Sequence, residues 1–226
     1  MSAFAKPGSY DYNATVFSPD GRLYQVEYAL EIVNRGATIL GMKCPEGIVL
    51  ASEEITDLLE ETTHSQKIFQ IDNHIGAAIV GLGSDARVLI QKAREEAQIN
   101  KLTYEEPADI ETITKKSSNT QQIYTQNAGG RPFGAALIIG GVDKTGPRLF
   151  CTHQCGTYKA YKAITLGAGK ETVQTQLTEQ YKENMTLNES IQLATTCLKN
   201  SMQTRQITAK ITIATIPTTT KTIQYI

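Results

Sequence analysis

Residues 38–53 read TILGMKCPEGIVLASE, and this stretch decides the fold because it holds two short apolar runs separated by a tight connection. The runs 38–44 and 47–53 have the length and aliphatic composition of buried strands, and Cys-Pro-Glu-Gly at 44–47 carries turn residues. Two further strand-like runs follow at 67–72 and 74–82, joined in the same way by Asp72-Asn73. The sequence therefore predicts four consecutive strands.

Downstream of these strands, helical and strand-like hydrophobic patterns alternate in blocks. Helices are predicted over 84–100 and 109–127, strands over 131–142, 147–153 and 157–166, helices over 170–184 and 187–203, and strands over 211–216 and 222–226. Thr186 and Glu189 form a capping-box pair at the start of the last helix. Because strands come in runs, the order favours antiparallel sheets with outer helices over a doubly wound parallel sheet. Two strand blocks, each followed by a helix pair, predict two packed sheets between helical layers.

Upstream of the first strand, the sequence predicts a turn and a helix. Residues 18–21 are Ser-Pro-Asp-Gly, the strongest turn signal in the chain. A helix is predicted from about residue 22, with Leu23, Val26, Leu30 and Val33 recurring at spacings of three and four. Gly36 follows this helix at the C′ position. Apolar and aromatic residues surround much of the helix, so we expect it to pack on more than one partner.

Composition and charge exclude several classes of protein. The 226 residues include 22 basic and 23 acidic side chains, for a formal net charge of −1 at pH 7. This balance argues against a broad nucleic-acid interface and against a polybasic membrane patch. No apolar run approaches the roughly 20 residues of a membrane helix, and the N-terminus has no apolar core of secretory length. We expect one intracellular domain with an N-terminal extension.

Three local patterns resemble known sites only loosely. Residues 81–86 match the G-x-G-x-x-A dinucleotide pattern, but a second helix follows where a parallel strand should, which favours an ordinary strand-to-helix turn. Cys151, His153 and Cys155 alternate and would share one face of a strand. A closed metal site needs a fourth ligand, and the sequence offers none at a suitable spacing, which favours half-buried thiols with a structural role. The glutamates at 53–54 and 60–61 are interpreted as solvated loop charge. We predict no cofactor, no metal and no catalytic residue.

The most specific signal is at the N-terminus. Residues 10–29, YDYNATVFSPDGRLYQVEYA, resemble almost residue for residue the N-terminal signature of proteasome α-type subunits. Further similar segments lie at 36–38, 66–68, 81–87 and 131–134. The resemblance implies an α+β fold: a four-layer αββα sandwich of two antiparallel sheets, of the N-terminal nucleophile hydrolase type, with an N-terminal extension and helix. It divides the chain into a gating tail and ring-contact helix, 1–36, and a sandwich domain, 37–226.

The resemblance also implies a role and partners. The chain would be one of seven related subunits in an outer ring of the proteasome core particle, in contact with neighbouring α subunits and with the β ring. Such rings control substrate entry for ubiquitin-dependent degradation, and they bind the C-terminal tails of activators. Particles of this kind are expected in the cytoplasm and the nucleus. Segments 58–61, 124–126, 130–134 and 185–187 look most like the eukaryotic α subunit of the third ring position, alpha type-4. A homomeric α-like ring that acts as a scaffold outside the core particle stays open.

Catalytic β subunits of this family use an N-terminal threonine whose own amine assists as base. In this chain the matching strand start is Ala37, behind 36 residues, so the resemblance implies a non-catalytic subunit. An active hydrolase of the β type, released by cleavage before Thr38, is the alternative.

Four residues match the family's gate. Tyr10, Asp11, Pro19 and Tyr28 correspond to the cluster that arranges the N-terminal tails in closed and open states. Buried aromatics and an ordinary turn are the structural alternative. The family's tail has an Arg shortly after Tyr-Asp, whereas this chain continues with Tyr-Asn at 12–13, which puts any tail-to-tail ion pair of that Arg in doubt.

Three residues match the family's activator-docking pocket between adjacent subunits. Lys67 corresponds to the lysine that receives an activator's C-terminal carboxylate, and Gly36 and Leu82 correspond to its lining. An ammonium and a chain-terminal carboxylate form a charge-assisted pair that is strongest when partly desolvated. A solvated lysine at the start of a strand is the structural alternative.

Overall fold

The computed structural model describes residues 13–56, 59–60 and 65–226. The helices in this part of the chain are α1 Tyr24–Arg35, α2 Gly83–Tyr104, α3 Ile110–Thr125, α4 Lys170–Gln180 and α5 Leu187–Thr204. The strands are β1 Ile39–Cys44, β2 Gly47–Glu54, β3 Ile68–Asp72, β4 Ile75–Gly81, β5 Ala135–Asp143, β6 Gly146–Thr152, β7 Tyr158–Ala160, β8 Ala163–Leu166, β9 Lys210–Pro217 and β10 Gln224–Tyr225. This order follows the predicted order, except that one predicted strand is divided into two.

The strands form two five-stranded sheets in which neighbouring strands run antiparallel. The first sheet has the order β10-β9-β2-β1-β8 and the second has the order β3-β4-β5-β6-β7. The opening hairpin pairs β1 with β2, so that Ile39 lies opposite Ser52 and Cys44 opposite Gly47. β2 also pairs with β9 along its whole length, and all its residues are buried.

Three apolar layers hold four layers of secondary structure together. One lies between the two sheets, one packs α2 and α3 on the second sheet, and one packs α4 and α5 on the first sheet. In β2, Ile48 and Leu50 belong to the layer between the sheets, whereas Val49 and Ala51 belong to the layer under α4 and α5. This alternation is the two-residue period of a strand that is covered on both faces. The predicted α+β four-layer αββα sandwich of two antiparallel sheets is confirmed.

The predicted strand 157–166 is wrong as a single strand. β7 pairs with β6 in the second sheet, where Ala160 lies opposite Phe150, and β8 pairs with β1 in the first sheet, where Leu166 lies opposite Ile39. The chain crosses between the sheets at residues 161–162, where the Tyr161 amide donates to Leu149 O at 2.9 Å. The strand-like alternation of apolar residues continues across the point where the chain changes sheets. The hydrophobic pattern therefore cannot show that two strands are present.

Several predicted boundaries also move. β5 begins at Ala135, so residues 131–134 form a loop and not the start of a strand. α5 begins as predicted with a capping box, in which the Glu189 amide donates to Thr186 Oγ1 at 3.2 Å and the Thr186 amide donates to Glu189 Oε2 at 2.7 Å.

Across the residues that the structure describes, no helix is both long and apolar enough to cross a bilayer.

α1 packs against β4 and β5 with Ala29 and Val33 buried. Val33 belongs to the apolar layer between the sheets, so this helix adds to the core of the sandwich. Leu30, predicted to lie in the same apolar stripe, is 42% exposed. The division of the chain after residue 36 stays a prediction.

Candidate functional site

The turn before α1 has the predicted position. The Gly21 amide donates to Ser18 O at 2.9 Å, and the Arg22 amide donates to the Ser18 hydroxyl at 3.1 Å. Gly21 has φ +74°, a left-handed conformation that favours glycine, and Pro19 is exposed at the second position of the turn. Ser18 is buried. The turn is therefore anchored through Ser18 while Pro19 faces solvent.

Arg22 joins this turn to the first helix. Its Nε donates to Glu27 Oε1 at 2.8 Å, its Nη2 pairs with Glu27 Oε2, and its guanidinium lies 5.1 Å from the centre of the Tyr24 ring. The hydrogen bond from Arg22 lowers the pKa of Glu27, so the carboxylate is ionised at neutral pH. This exposed bidentate pair links the residue that follows the turn to the first turn of α1.

Large apolar and aromatic side chains are exposed on and before α1, beside the surface ion pair of Arg35 and Glu31. Tyr28 is 48% exposed, Ile32 is 38% exposed, and Phe17 before the turn is 65% exposed. The Tyr24 and Tyr28 rings lie 6.4 Å apart between centroids and nearly parallel. Of the four predicted gate residues, Pro19 and Tyr28 lie in the described part of the chain, both exposed at its N-terminal end. Tyr10 and Asp11, together with Tyr12, lie outside the described residues.

Gly36 follows α1 for a reason other than the predicted one. A C′ glycine usually adopts a left-handed conformation, but Gly36 is extended, with φ −67° and ψ 161°. A Cβ at this position would lie 2.6 Å from Val80 Cγ2 and 3.1 Å from the Gly81 nitrogen. The absence of a side chain lets the backbone lie directly on the end of β4.

Lys67 lies beside the same strand. Its carbonyl accepts a hydrogen bond from the Ile79 amide at 2.8 Å, one residue before Val80. The side chain is half-buried, and burial lowers the pKa of Lys67 below its usual value while the charge of Glu54 opposes the shift. Leu82 follows β4 directly and is 37% exposed. The three predicted docking residues are thus gathered around the last residues of β4.

The segment 81–86 is a strand-to-helix turn, because β4 ends at Gly81 and α2 begins at Gly83. Gly81 has φ +100°, and a Cβ there would lie 2.1 Å from Gly134 O. The Leu82 amide donates to Gly134 O at 2.9 Å. Asp85 receives the Gly134 amide at 2.8 Å and a two-pronged ion pair from Arg131. Both segments resemble the family in sequence, but their residue types and spacing did not predict the pairing of Asp85 with Arg131.

The glutamates at 53–54 are not solvated loop charge. They end β2, and both side chains are buried. Glu53 Oε2 accepts the Thr38 amide at 3.1 Å, and Arg205 Nη2 pairs with Glu53 Oε1. Glu54 accepts hydrogen bonds from Ser52 and Ser65. Buried carboxylates need such partners, and Arg205 is too distant in sequence to be identified from a local pattern.

Thr38 is itself fully buried beside this cluster. Its Oγ1 accepts the Gly169 amide at 2.9 Å, at the start of α4, and its carbonyl accepts the Glu53 amide at 2.9 Å. A Cβ on Gly169 would lie 2.0 Å from Ser201 Oγ and 2.6 Å from Thr38 Oγ1. The hydroxyl of Thr38 therefore lies in a closed, tightly packed site.

Cys151, His153 and Cys155 do not share one face of a strand. β6 ends at Thr152, and the Gly156 amide donates back to His153 O at 2.8 Å in a turn. Cys151 is fully buried, and burial raises the pKa of its thiol to about 12, whereas Cys155 is exposed. Among the described residues, no group of three or more His, Cys, Asp or Glu could hold a metal ion.

The fold and the N-terminal helix define a member of the proteasome class. The chain belongs to this family: the model described as "Proteasome subunit" matches residues 33–216. A second model, which describes the N-terminal signature of A-type proteasome subunits, matches residues 10–31, so within the family the chain is of the α type.

Archaeal relatives agree with this assignment. The proteasome α subunit of Methanobrevibacter smithii is 50% identical over 208 residues, which cover 92% of this chain and 83% of the relative. The protein of the same name from Pyrococcus horikoshii is 51% identical over 203 residues, covering 89% of this chain and 78% of the relative. The one from Methanopyrus kandleri is 46% identical over 209 residues, covering 92% and 85%.

The close approach at Gly36 predicts a specific pattern of stabilities. Gly36→Ala should lower the free energy of unfolding by about 1 kcal/mol or more, because the added methyl group collides with Val80. In the double variant Gly36→Ala/Val80→Ala, the loss of unfolding free energy should be about 1 kcal/mol smaller than the sum of the losses in the two single variants. Urea titration of the purified chain measures these values.

Gly83→Ala is the matched control, since a Cβ at Gly83 meets nothing within 4 Å, and it should not destabilise the chain. Strictly additive effects at 36 and 80 would contradict the proposed reason for the glycine.

Proposed function

We propose that this chain is a non-catalytic gating and docking subunit in the α ring of a proteasome core particle. The observation that carries the proposal is the anchored turn and exposed helix of residues 18–35, within the segment that the α-type signature matches. The ring would control substrate entry into the particle for ubiquitin-dependent degradation, in cytoplasm and nucleus. Its partners would be neighbouring α subunits, β subunits and activators with free C-terminal tails.

The residues at the start of β1 support the proposed absence of catalysis. An N-terminal nucleophile needs a threonine with a free amine and an accessible hydroxyl. Position 37 is alanine, the Thr38 nitrogen belongs to a peptide bond and donates to Glu53, and the Thr38 hydroxyl is buried at the start of α4. These contacts support a structural role over the β-type hydrolase.

Intact masses of the chains in the purified particle test this proposal. We expect a chain that retains the segment before residue 37, and no labelling of Thr38 by a mechanism-based inhibitor that modifies the threonines of catalytic β subunits. A mature chain that begins at Thr38 and carries the inhibitor would establish the β-type hydrolase instead.

The same masses report the make-up of the ring. On the strength of segments 58–61, 124–126, 130–134 and 185–187 we place the chain at the third position of a eukaryotic ring with six different α neighbours. Different neighbouring subunits would form heterologous contacts, and repeated rotation from one subunit to the next would close the ring. Exposed residues of α1 such as Tyr28 and Ile32 would provide apolar surface for these contacts. A particle with one α mass would favour a homomeric ring.

The gate proposal assigns the tail to closing the ring. Pro19 directs the chain away from the anchored turn, and the phenols of Tyr10 and Tyr28 and the carboxylate of Asp11 would hydrogen-bond between neighbouring tails. Deleting residues 1–12 should therefore raise hydrolysis of small peptides by the latent particle. A deletion of residues 2–6, which keeps Tyr10 and Asp11, is the matched control and should raise it less. Unchanged hydrolysis in the longer deletion would assign closure to other subunits.

The docking proposal assigns Lys67 to the carboxylate of an activator tail. Partial burial makes this charge more effective than a fully solvated one. Lys67→Ala should weaken binding of a peptide with a free C-terminal carboxylate by about 10- to 100-fold, with assembly intact. Because only the ammonium binds the carboxylate, affinity should fall as the pH rises through the lowered pKa of Lys67, below the usual 10.5.

Fluorescence anisotropy with a labelled peptide measures both effects. Lys199→Ala, at an exposed position on α5, is the matched control and should bind with unchanged affinity. Equal affinity in Lys67→Ala would reject the docking role of this pocket.

A further inference from the structure

Both backbone polar groups of Gly134 are hydrogen-bonded to residues at the start of α2, next to the proposed docking residue Leu82. Its carbonyl accepts the Leu82 amide at 2.9 Å, and its amide donates to Asp85 Oδ2 at 2.8 Å. Leu82 precedes α2 and Asp85 lies in the first turn of that helix. The loop 131–134 is thus fastened to the start of α2 by two hydrogen bonds on one residue.

The Asp85 carboxylate is in turn held by Arg131. Arg131 Nη1 lies 2.6 Å from Oδ2 and Nη2 lies 2.9 Å from Oδ1, the two-pronged geometry that matches guanidinium to carboxylate. Arg131 Nη1 also donates to Pro132 O at 3.0 Å, which ties the arginine to its own loop. The Asp85 side chain is only 12% exposed. The hydrogen bond from Arg131 lowers the pKa of Asp85, which keeps the carboxylate ionised at neutral pH.

The loop supports the side chain of Leu82. A Cβ on Gly134 would lie 3.0 Å from Leu82 Cδ1 and 3.4 Å from Ile32 Cδ1, so Leu82, the loop and α1 meet at this glycine. Leu82 is fixed by its backbone on one side and by Gly134 under its side chain on the other. A displacement of residues 131–134 would therefore move the Leu82 wall of the pocket.

We propose that Asp85 and Arg131 are positioning residues of the activator-docking pocket, which hold Leu82 in place without touching the activator. The proposal rests on the docking function proposed for Lys67, Gly36 and Leu82. A wall held in its bound conformation before the tail arrives lowers the ordering cost of binding. Loss of the ion pair leaves the Lys67 charge in place but loosens the surface beside it.

Assembled particles with substitutions at Asp85 test the proposal. The probes are two labelled heptapeptides of one sequence, with a free C-terminal carboxylate and with a C-terminal amide. Asp85→Ala removes both the ion pair and the acceptor for Gly134, and should weaken binding of both probes by about tenfold. Asp85→Asn keeps an oxygen acceptor and should weaken binding by about threefold. Glu111→Gln, which removes the charge of an exposed ion pair with Arg148, is the matched control and should leave affinity unchanged.

The ratio of the two affinities separates positioning from charge. In the Asp85 variants the ratio of carboxylate to amide affinity should stay as in the unmodified particle, because Lys67 is intact, whereas in Lys67→Ala the ratio should fall towards one. Asp85→Asn decides the outcome if Asp85→Ala does not assemble. If Lys67→Ala weakens carboxylate binding but neither Asp85 variant weakens either probe, the positioning role is overturned and the docking function stands. If Lys67→Ala itself has no effect, the docking function fails and the positioning role fails with it.

Discussion

The backbone of residues 36–38 is held between two parts of the sandwich, and the positions of α1 and of the turn before it depend on this contact. On one side Gly36 lies on Val80 at the end of β4. On the other side the Gly36 carbonyl accepts the Ala168 amide at 2.8 Å, and the Thr38 amide donates to the buried carboxylate of Glu53. Because β1 must begin here, the C-terminal end of α1 lies against the end of β4, and the turn of residues 18–21 lies at the other end of the helix.

The same contacts bury Thr38 and use both its amide and its hydroxyl in hydrogen bonds. The buried charge of Glu53 is balanced by Arg205 and by the Thr38 amide, and the Thr38 hydroxyl is used by the start of α4. A carboxylate with no exposed surface is tolerated only when its partners stay in place. These contacts therefore connect the ends of β1, β2, α4 and α5 to one another.

The fold was largely predictable because hydrophobic periodicity reports which faces of an element are covered. The strand pair 38–53, the capping box at Thr186 and the turn at 18–21 depend on neighbouring residues, and all three are confirmed. The split of 157–166 into β7 and β8 was missed, because both halves keep a strand pattern while they pair with different sheets. The burial of Glu53 and Glu54 was also missed, because their position on a covered strand and the partner Arg205 arise from contacts far apart in sequence.

The sequence by itself determined the order of strands and helices, the α-type signature of residues 10–29 and the missing threonine at position 37. These features are local, and each can be identified from the residue types and their spacing. Only the tertiary structure decided that Gly36, Lys67 and Leu82 all lie near the end of β4, and that Asp85 and Arg131 hold the loop 131–134 beside Leu82. The physical reason is that sheet register and close packing bring these distant segments of the chain together, and the spacing of residues within one segment does not report that arrangement.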